Sequence, residues 1–77
     1  MNKTISALAL EMRRAEYKPG TRVELVSMND PYTELKPGDK GTVNFVDDIG
    51  TVFVDWETGS GLGAVYGEDR IKPCQTP

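Results

Sequence analysis

Apolar and polar positions change their period once along this chain, near residue 20. Over residues 3–17, Ile5, Leu8, Met12 and Ala15 recur every three or four positions, with Ala9 in the same stripe. That spacing predicts a helix. Thr4 or Asn2 is placed to cap its start, and Lys18-Pro19-Gly20 stops it, because the residue before a proline is biased away from helical geometry. From Thr21 onward the period is two. Residues 21–28 read as a first strand with Val23 and Leu25 inward. Val26 breaks the alternation, which fits either a bulge or a second apolar contact there. Residues 41–47 read as a second strand with Val43 and Phe45 on one face. Residues 51–57 read as a third, with Val52, Val54 and Trp56 together and Phe53 opposite. Asp47-Asp48-Ile49-Gly50 forms the tight turn between them, so residues 37–56 make a central hairpin.

The remaining segments complete a plan. Residues 29–40 form a long loop with two prolines, in which Tyr32 and Leu35 are expected to pack down. Residues 58–61 turn into a glycine-loosened fourth strand over 62–66. Residues 67–70 read as one helical turn and Ile71-Lys72 as a fifth strand. The expected fold is mainly β, an SH3-like five-stranded small barrel with one N-terminal α-helix. The helix occupies 1–18, the barrel 19–73 and a tail 74–77. The stripe Ile5-Leu8-Met12 is expected to cover an open side of the barrel, or to pair with the same helix of a second chain as a homodimer.

Composition narrows the function more than it names it. Seventy-seven residues make one domain, with room for a core but not for a buried active-site cavity as well. Nine Lys and Arg against twelve Asp and Glu give a net charge of −3, which disfavours nucleic acid and anionic membranes as partners. Cys74 is the single cysteine, so packing alone holds the fold, and a cytoplasmic location is expected. There is no His, no nucleophile paired with a base and no set of zinc ligands. The expectation is therefore a protein that is not an enzyme and that carries no cofactor or metal. The apolar run 5–10 is too short to span a bilayer and lacks a cleavage pattern.

Three groups of residues are candidates for binding. Tyr32 sits in the long loop beside a proline, and with Met28, Asp30 and Pro31 it could offer a protein contact. Asp47, Asp48 and Asp55 form an acidic edge, though an Asp at such a turn also caps its own backbone. Arg22, Arg70 and Lys72 share an edge if the first and last strands are neighbours, which would suit phosphates. The competing reading pairs them with Glu24, Glu68 and Asp69. Asp47, Asp48, Asp55, Glu68 and Asp69 do not have the spacing of a known cation loop. The run Gly59-Ser60-Gly61-Leu62-Gly63 lacks the Lys and helix of a phosphate-binding loop.

In order along the chain, Gly20-Thr21-Arg22-Val23-Glu24-Leu25, Met28-Asn29-Asp30-Pro31-Tyr32 and Pro37-Gly38-Asp39-Lys40-Gly41-Thr42-Val43 make a combined pattern. Val46-Asp47-Asp48-Ile49-Gly50, Val54-Asp55-Trp56, Gly59-Ser60-Gly61-Leu62 and Tyr66-Gly67-Glu68-Asp69 continue it. Together they resemble a small bacterial and phage family, the domain of unknown function numbered 4314, over about residues 17–72. Glu57-Thr58 departs from the family pattern, which tends to Asp-Asn there. The resemblance implies a fold and an origin in bacteria, prophages or mobile elements, and no activity. The expected function is a small non-catalytic module that contacts a protein through the long first loop and the acidic edge. An inhibitor or accessory factor acting on a host protein fits that origin, with carboxylates standing in for phosphates. The alternative is a nucleic-acid-binding barrel of SH3 or KOW type using Arg22, Arg70 and Lys72.

Overall fold

The computed structural model describes residues 4–74. Helix α1 (Ala7–Glu16) is followed by β1 (Arg22–Ser27), β2 (Lys40–Val46), β3 (Val52–Trp56) and β4 (Arg70–Pro73). The strands form one antiparallel sheet in the order β3-β2-β1-β4. Alternation in the sequence decides which face is covered. Val23 and Leu25 of β1, Val43 of β2, and Val52, Val54 and Trp56 of β3 are buried together. Tyr17, Leu35 and Ala64 complete the core from outside the strands.

The fold is mainly β with one helix, as expected, but the sheet is open and has four strands where a five-stranded barrel was expected. Residues 62–66 contribute only an isolated bridge, Ala64 to Val52, bonded in both directions at 2.8 and 2.9 Å. The cause is local. The Leu62 carbonyl accepts from Trp56 Nε1 at 2.8 Å, which diverts it from a ladder. Gly63 brings no side chain and lies so close to β3 that a Cβ there would be 2.6 Å from Thr51 Cγ2. The helical turn expected over 67–70 is a turn at 66–68, in which the N–H groups of Glu68 and Asp69 both donate to Val65 O. The last strand runs one residue further than expected, through Pro73, and Cys74 N donates to Arg22 O. The rest of the expected tail, 75–77, lies outside the described residues.

Two bulges set which side chains face out. The β1–β4 register shifts between Leu25 and Ser27, so of the two readings open at Val26 the bulge holds, and the side chain is left exposed rather than in a second apolar contact. A second shift, between Val43 and Phe45, separates two residues expected on one face. Val43 is buried, whereas Phe45 is half exposed and stacks on Phe53 across the hairpin at 4.8 Å.

The helix docks differently from its apolar stripe. Its N-cap is Ser6, whose Oγ accepts from Ala9 N at 3.1 Å, in place of Thr4; the other expected cap, Asn2, lies outside the described residues. No residue of α1 is buried, and Leu8 and Met12 are 66% and 63% exposed. Leu8 and Met12 of the stripe expected to cover the sheet therefore face solvent, while its Ile5 and Ala9 lie on the docked side. Contact is made by Ile5 of the stripe together with Arg13 and Tyr17, which with Ala9 lie four apart on one face. Tyr17 is the deciding residue. It is buried just past the helix, and its hydroxyl donates to Ile71 O at 3.2 Å. Arg13 Nε donates to Gly50 O at 2.6 Å, and its guanidinium lies 5.6 and 5.4 Å from the ring centres of Tyr17 and Tyr66. Arg13 Nη2 is buried without a hydrogen-bond acceptor, and the two π faces take that place. Gly50 holds φ +88°, and a Cβ there would meet Ile5 Cδ1 at 2.9 Å.

Candidate functional site

The long loop is built by short-range side-chain bonds. Asp30 Oδ1 accepts from Tyr32 N at 2.9 Å, and Thr33 Oγ1 accepts from Leu35 N at 3.1 Å. Asp39 Oδ2 accepts from Lys36 N at 2.8 Å, while Gly38 N donates to Leu25 O. These turns push Leu35 into the core and leave Tyr32 92% exposed. Leu35 packs as expected and Tyr32 does not, because the Asp30 turn aims the backbone at Tyr32 outward.

The opposite bank is the segment after β3. Ser60 Oγ accepts from Leu62 N at 3.1 Å, and Leu62 and Val65 stay partly exposed. Asp69 fastens the two banks: its Oδ1 accepts from Asn29 N at 2.7 Å and its Oδ2 from Val65 N at 2.9 Å. Asn29 Nδ2 donates to Glu68 Oε1 at 2.9 Å. At the far end stands the β2–β3 turn. Asp47 Oδ1 accepts from Ile49 N and Thr51 N, so the tip presents Asp48 and the 69% exposed Ile49.

Three depressions join between these parts. One of about 320 Å³ is lined by Thr4, Ile5, Asp48, Ile49, Val65, Tyr66 and Glu68. The next, about 290 Å³, shares Val65 and Glu68 and adds Met28, Asn29, Asp30, Pro31, Leu62, Gly63 and Asp69. The third, about 420 Å³, shares Asp30 and Leu62 and adds Tyr32, Thr33, Glu34, Leu35, Thr58 and Ser60. They form one shallow furrow with apolar and acidic lining, and a further depression of about 380 Å³, sharing Tyr66 and Glu68 with the first and Glu68 and Asp69 with the second, brings Arg13 and Arg70 to its edge. Each part is at the lower end of ligand-pocket volumes, roughly 300–1,000 Å³. An extended chain suits this shape better than an enclosed small molecule.

Of the expected protein-binding residues, Met28, Asp30, Pro31, Tyr32 and Asp48 line this furrow. Asp47 is occupied by its own turn. Asp55 accepts from Asn44 Nδ2 on the outer face of β3, eight residues along the hairpin from Asp47. The first and last strands are neighbours as expected, yet the basic residues are not left together. Arg22 ion-pairs with Glu57 and donates to Thr42 Oγ1, and Lys72 lies across from Glu24. Arg70 is opposite Ser27. Sequence reasoning missed Ile49, Leu62 and Val65 as furrow residues. The readable signal was Ile49, an apolar side chain at the tip of a tight turn.

Among the described residues no three His, Cys, Asp or Glu side chains gather as a metal site. No helix among them is long and apolar enough to cross a membrane. The molecule is thus a four-stranded antiparallel sheet with a docked helix and a furrowed face. It belongs to the family described as domain of unknown function (DUF4314), whose model matches residues 6–74. Neither a curated protein nor a solved structure matches the chain.

Proposed function

We propose that this chain is a non-catalytic binding module that holds a partner protein along the furrow. The observation that carries the reading is Tyr32. A large aromatic ring stands 92% exposed on a loop fixed by hydrogen bonds, at the edge of a groove. Tyrosines in that setting are frequent anchors of protein interfaces. The architecture is SH3-like: strand order β4-β1-β2-β3, a bridge beyond β3 at Ala64, and a single turn before the last strand support it. The lone thiol of Cys74 suits action in the cytoplasm. An accessory factor or inhibitor acting on a host protein, carried by a bacterium or mobile element, is the role we assign. Nucleic acid is the weaker reading, because Glu57 and Glu24 offset Arg22 and Lys72.

The test is quantitative capture from a bacterial lysate with the full chain and its Tyr32→Ala variant as baits. The expected result is at least one protein depleted about 10-fold or more by the substitution, with the melting temperature unchanged. Identical protein sets on both baits would overturn the interface.

A further inference from the structure

We infer that helix α1 is a detachable wall of the furrow: residues 4–16 come away and melt as a unit while the sheet keeps its core. The undocking does not rest on the reading of the furrow as a protein interface; only its effect on a bound partner does. Every residue of the core cluster lies at Tyr17 or beyond it, and no residue of α1 is buried. Removing the helix therefore takes no side chain out of the apolar centre. Among the described residues, α1 reaches the rest of the chain by two side-chain hydrogen bonds. Arg13 Nε donates to Gly50 O. Arg14 Nη2 donates to Asp48 Oδ1, on a side chain 97% exposed, where an ion pair counts for little. Detached, ten residues fall short of the roughly 12–15 that a helix needs to persist in water, so the segment melts when it leaves. Tyr17 marks the boundary. Its buried ring and its bond to Ile71 O stay with the sheet, and Gly20 N, bonded to Val43 O, ties down the chain just after it.

The segment is also part of the site. Thr4 and Ile5 stand in the wall of the first depression, and Arg13 lines the one beside it; the two share Tyr66 and Glu68. Gly50 lies where they meet: a Cβ there would be 2.9 Å from Ile5 Cδ1, 3.3 Å from Tyr66 Cβ and 3.7 Å from Arg13 Cδ. Undocking uncovers Gly50 and the face of the Tyr66 ring that Arg13 covers, and it leaves that end of the furrow without a wall. The middle, fastened by Asp69 to Asn29 and Val65, keeps its width. A partner seated against Ile5 holds the wall closed, and loosening the wall lowers its apparent affinity in proportion to the docked fraction.

Native-state hydrogen exchange of the full chain in sub-denaturing urea tests the undocking. After correction for intrinsic rates, the slowest amides of α1 are expected to exchange about 10-fold or more faster than the slowest of β1 and β2. Their urea slope is expected to be less than about half that of the strands, because undocking exposes little surface. One shared rate and slope for helix and strands would overturn the inference. Arg13→Ala separates undocking from fraying. Ala is a better helix former than Arg, so fraying would slow, whereas loss of the anchor quickens the opening. Trypsin reads that opening at Arg14, a site that both chains keep. Cleavage after Arg14 is expected to rise about 10-fold or more in the variant, ahead of any cut after Arg22 in β1. No rise after Arg14, or cleavage after Arg22 at the same rate, would sink the detachable wall.

Discussion

A methyl group at Gly41 would lie 2.5 Å from Val54 Cγ1 and 2.7 Å from Asp55 O, and the second of these is backbone that cannot turn aside. Gly41→Ala is therefore expected to cost about 3 kcal/mol through overpacking between β2 and β3. Gly61, with nothing within 4 Å and no positive φ, is the control: Gly61→Ala is expected to stay within about 0.5 kcal/mol. Urea denaturation of both variants reads the difference, and equal midpoints would refute the packing. Tyr17 makes a second case. Burial, and then the neighbouring Glu16 charge, push its phenol above the ordinary value, with Arg13 pulling the other way. A raised pKa in the folded state means the fold holds the proton more tightly than the unfolded chain. The contribution is complete below the unfolded value, about 10, and is lost as pH rises through the folded one. Tyr17→Phe is expected to lose about 1 kcal/mol at neutral pH with the hydrogen bond to Ile71 O. It is also expected to flatten the alkaline decline in stability. A decline of the same slope in Tyr17→Phe, followed by thermal melts from pH 8 upward, would show that another group is responsible.

At the scale of elements, the helix shows what an apolar period can and cannot say. The three- and four-residue spacing of Ile5, Leu8, Met12 and Ala15 is enough to specify a helix, and a helix is present. It does not specify the docked face, because the anchor is a cation held between two rings and a backbone carbonyl. No hydrophobic pattern marks an Arg for that work. Arg13→Ala is accordingly expected to destabilise by about 2 kcal/mol, from the lost charged hydrogen bond and ring contacts. Amide exchange across α1 should quicken by more than 10-fold. Leu8→Ser plus Met12→Ser, although it removes the two large exposed apolar groups of the helix, is expected to change stability by only about 0.5 kcal/mol. The opposite ranking would place the stripe against the sheet after all. The strands were more readable: alternation assigned Val23, Leu25, Val52, Val54 and Trp56 to the core correctly. The bulge before Phe45 shifted its register, and nothing in the local sequence announced it.

For the whole molecule, the strand plan was legible because each strand carries its own period. The strand expected over 62–66 failed because Gly63 and the diverted Leu62 carbonyl reduce pairing to one bridge. The furrow was only half legible. Met28, Asp30, Pro31 and Tyr32 are contiguous and advertise a loop, but the other bank comes from residues 62–69 and the far end from Ile5 and the Asp48-Ile49 tip. Four segments distant in sequence meet there, and no local pattern encodes their meeting. Tyr32 and Leu35 illustrate the same limit: three residues apart in one aperiodic loop, they differ in fate because of the Asp30 and Thr33 turns.

Asp69, through Asn29 N on one side and Val65 N on the other, has a consequence for how anything is captured. With its width stapled in advance, the host has little freedom left to surrender, so the ordering entropy of the encounter falls on the guest. A guest locked beforehand into a stretched shape, by cyclisation or by proline, would keep nearly all of that saving.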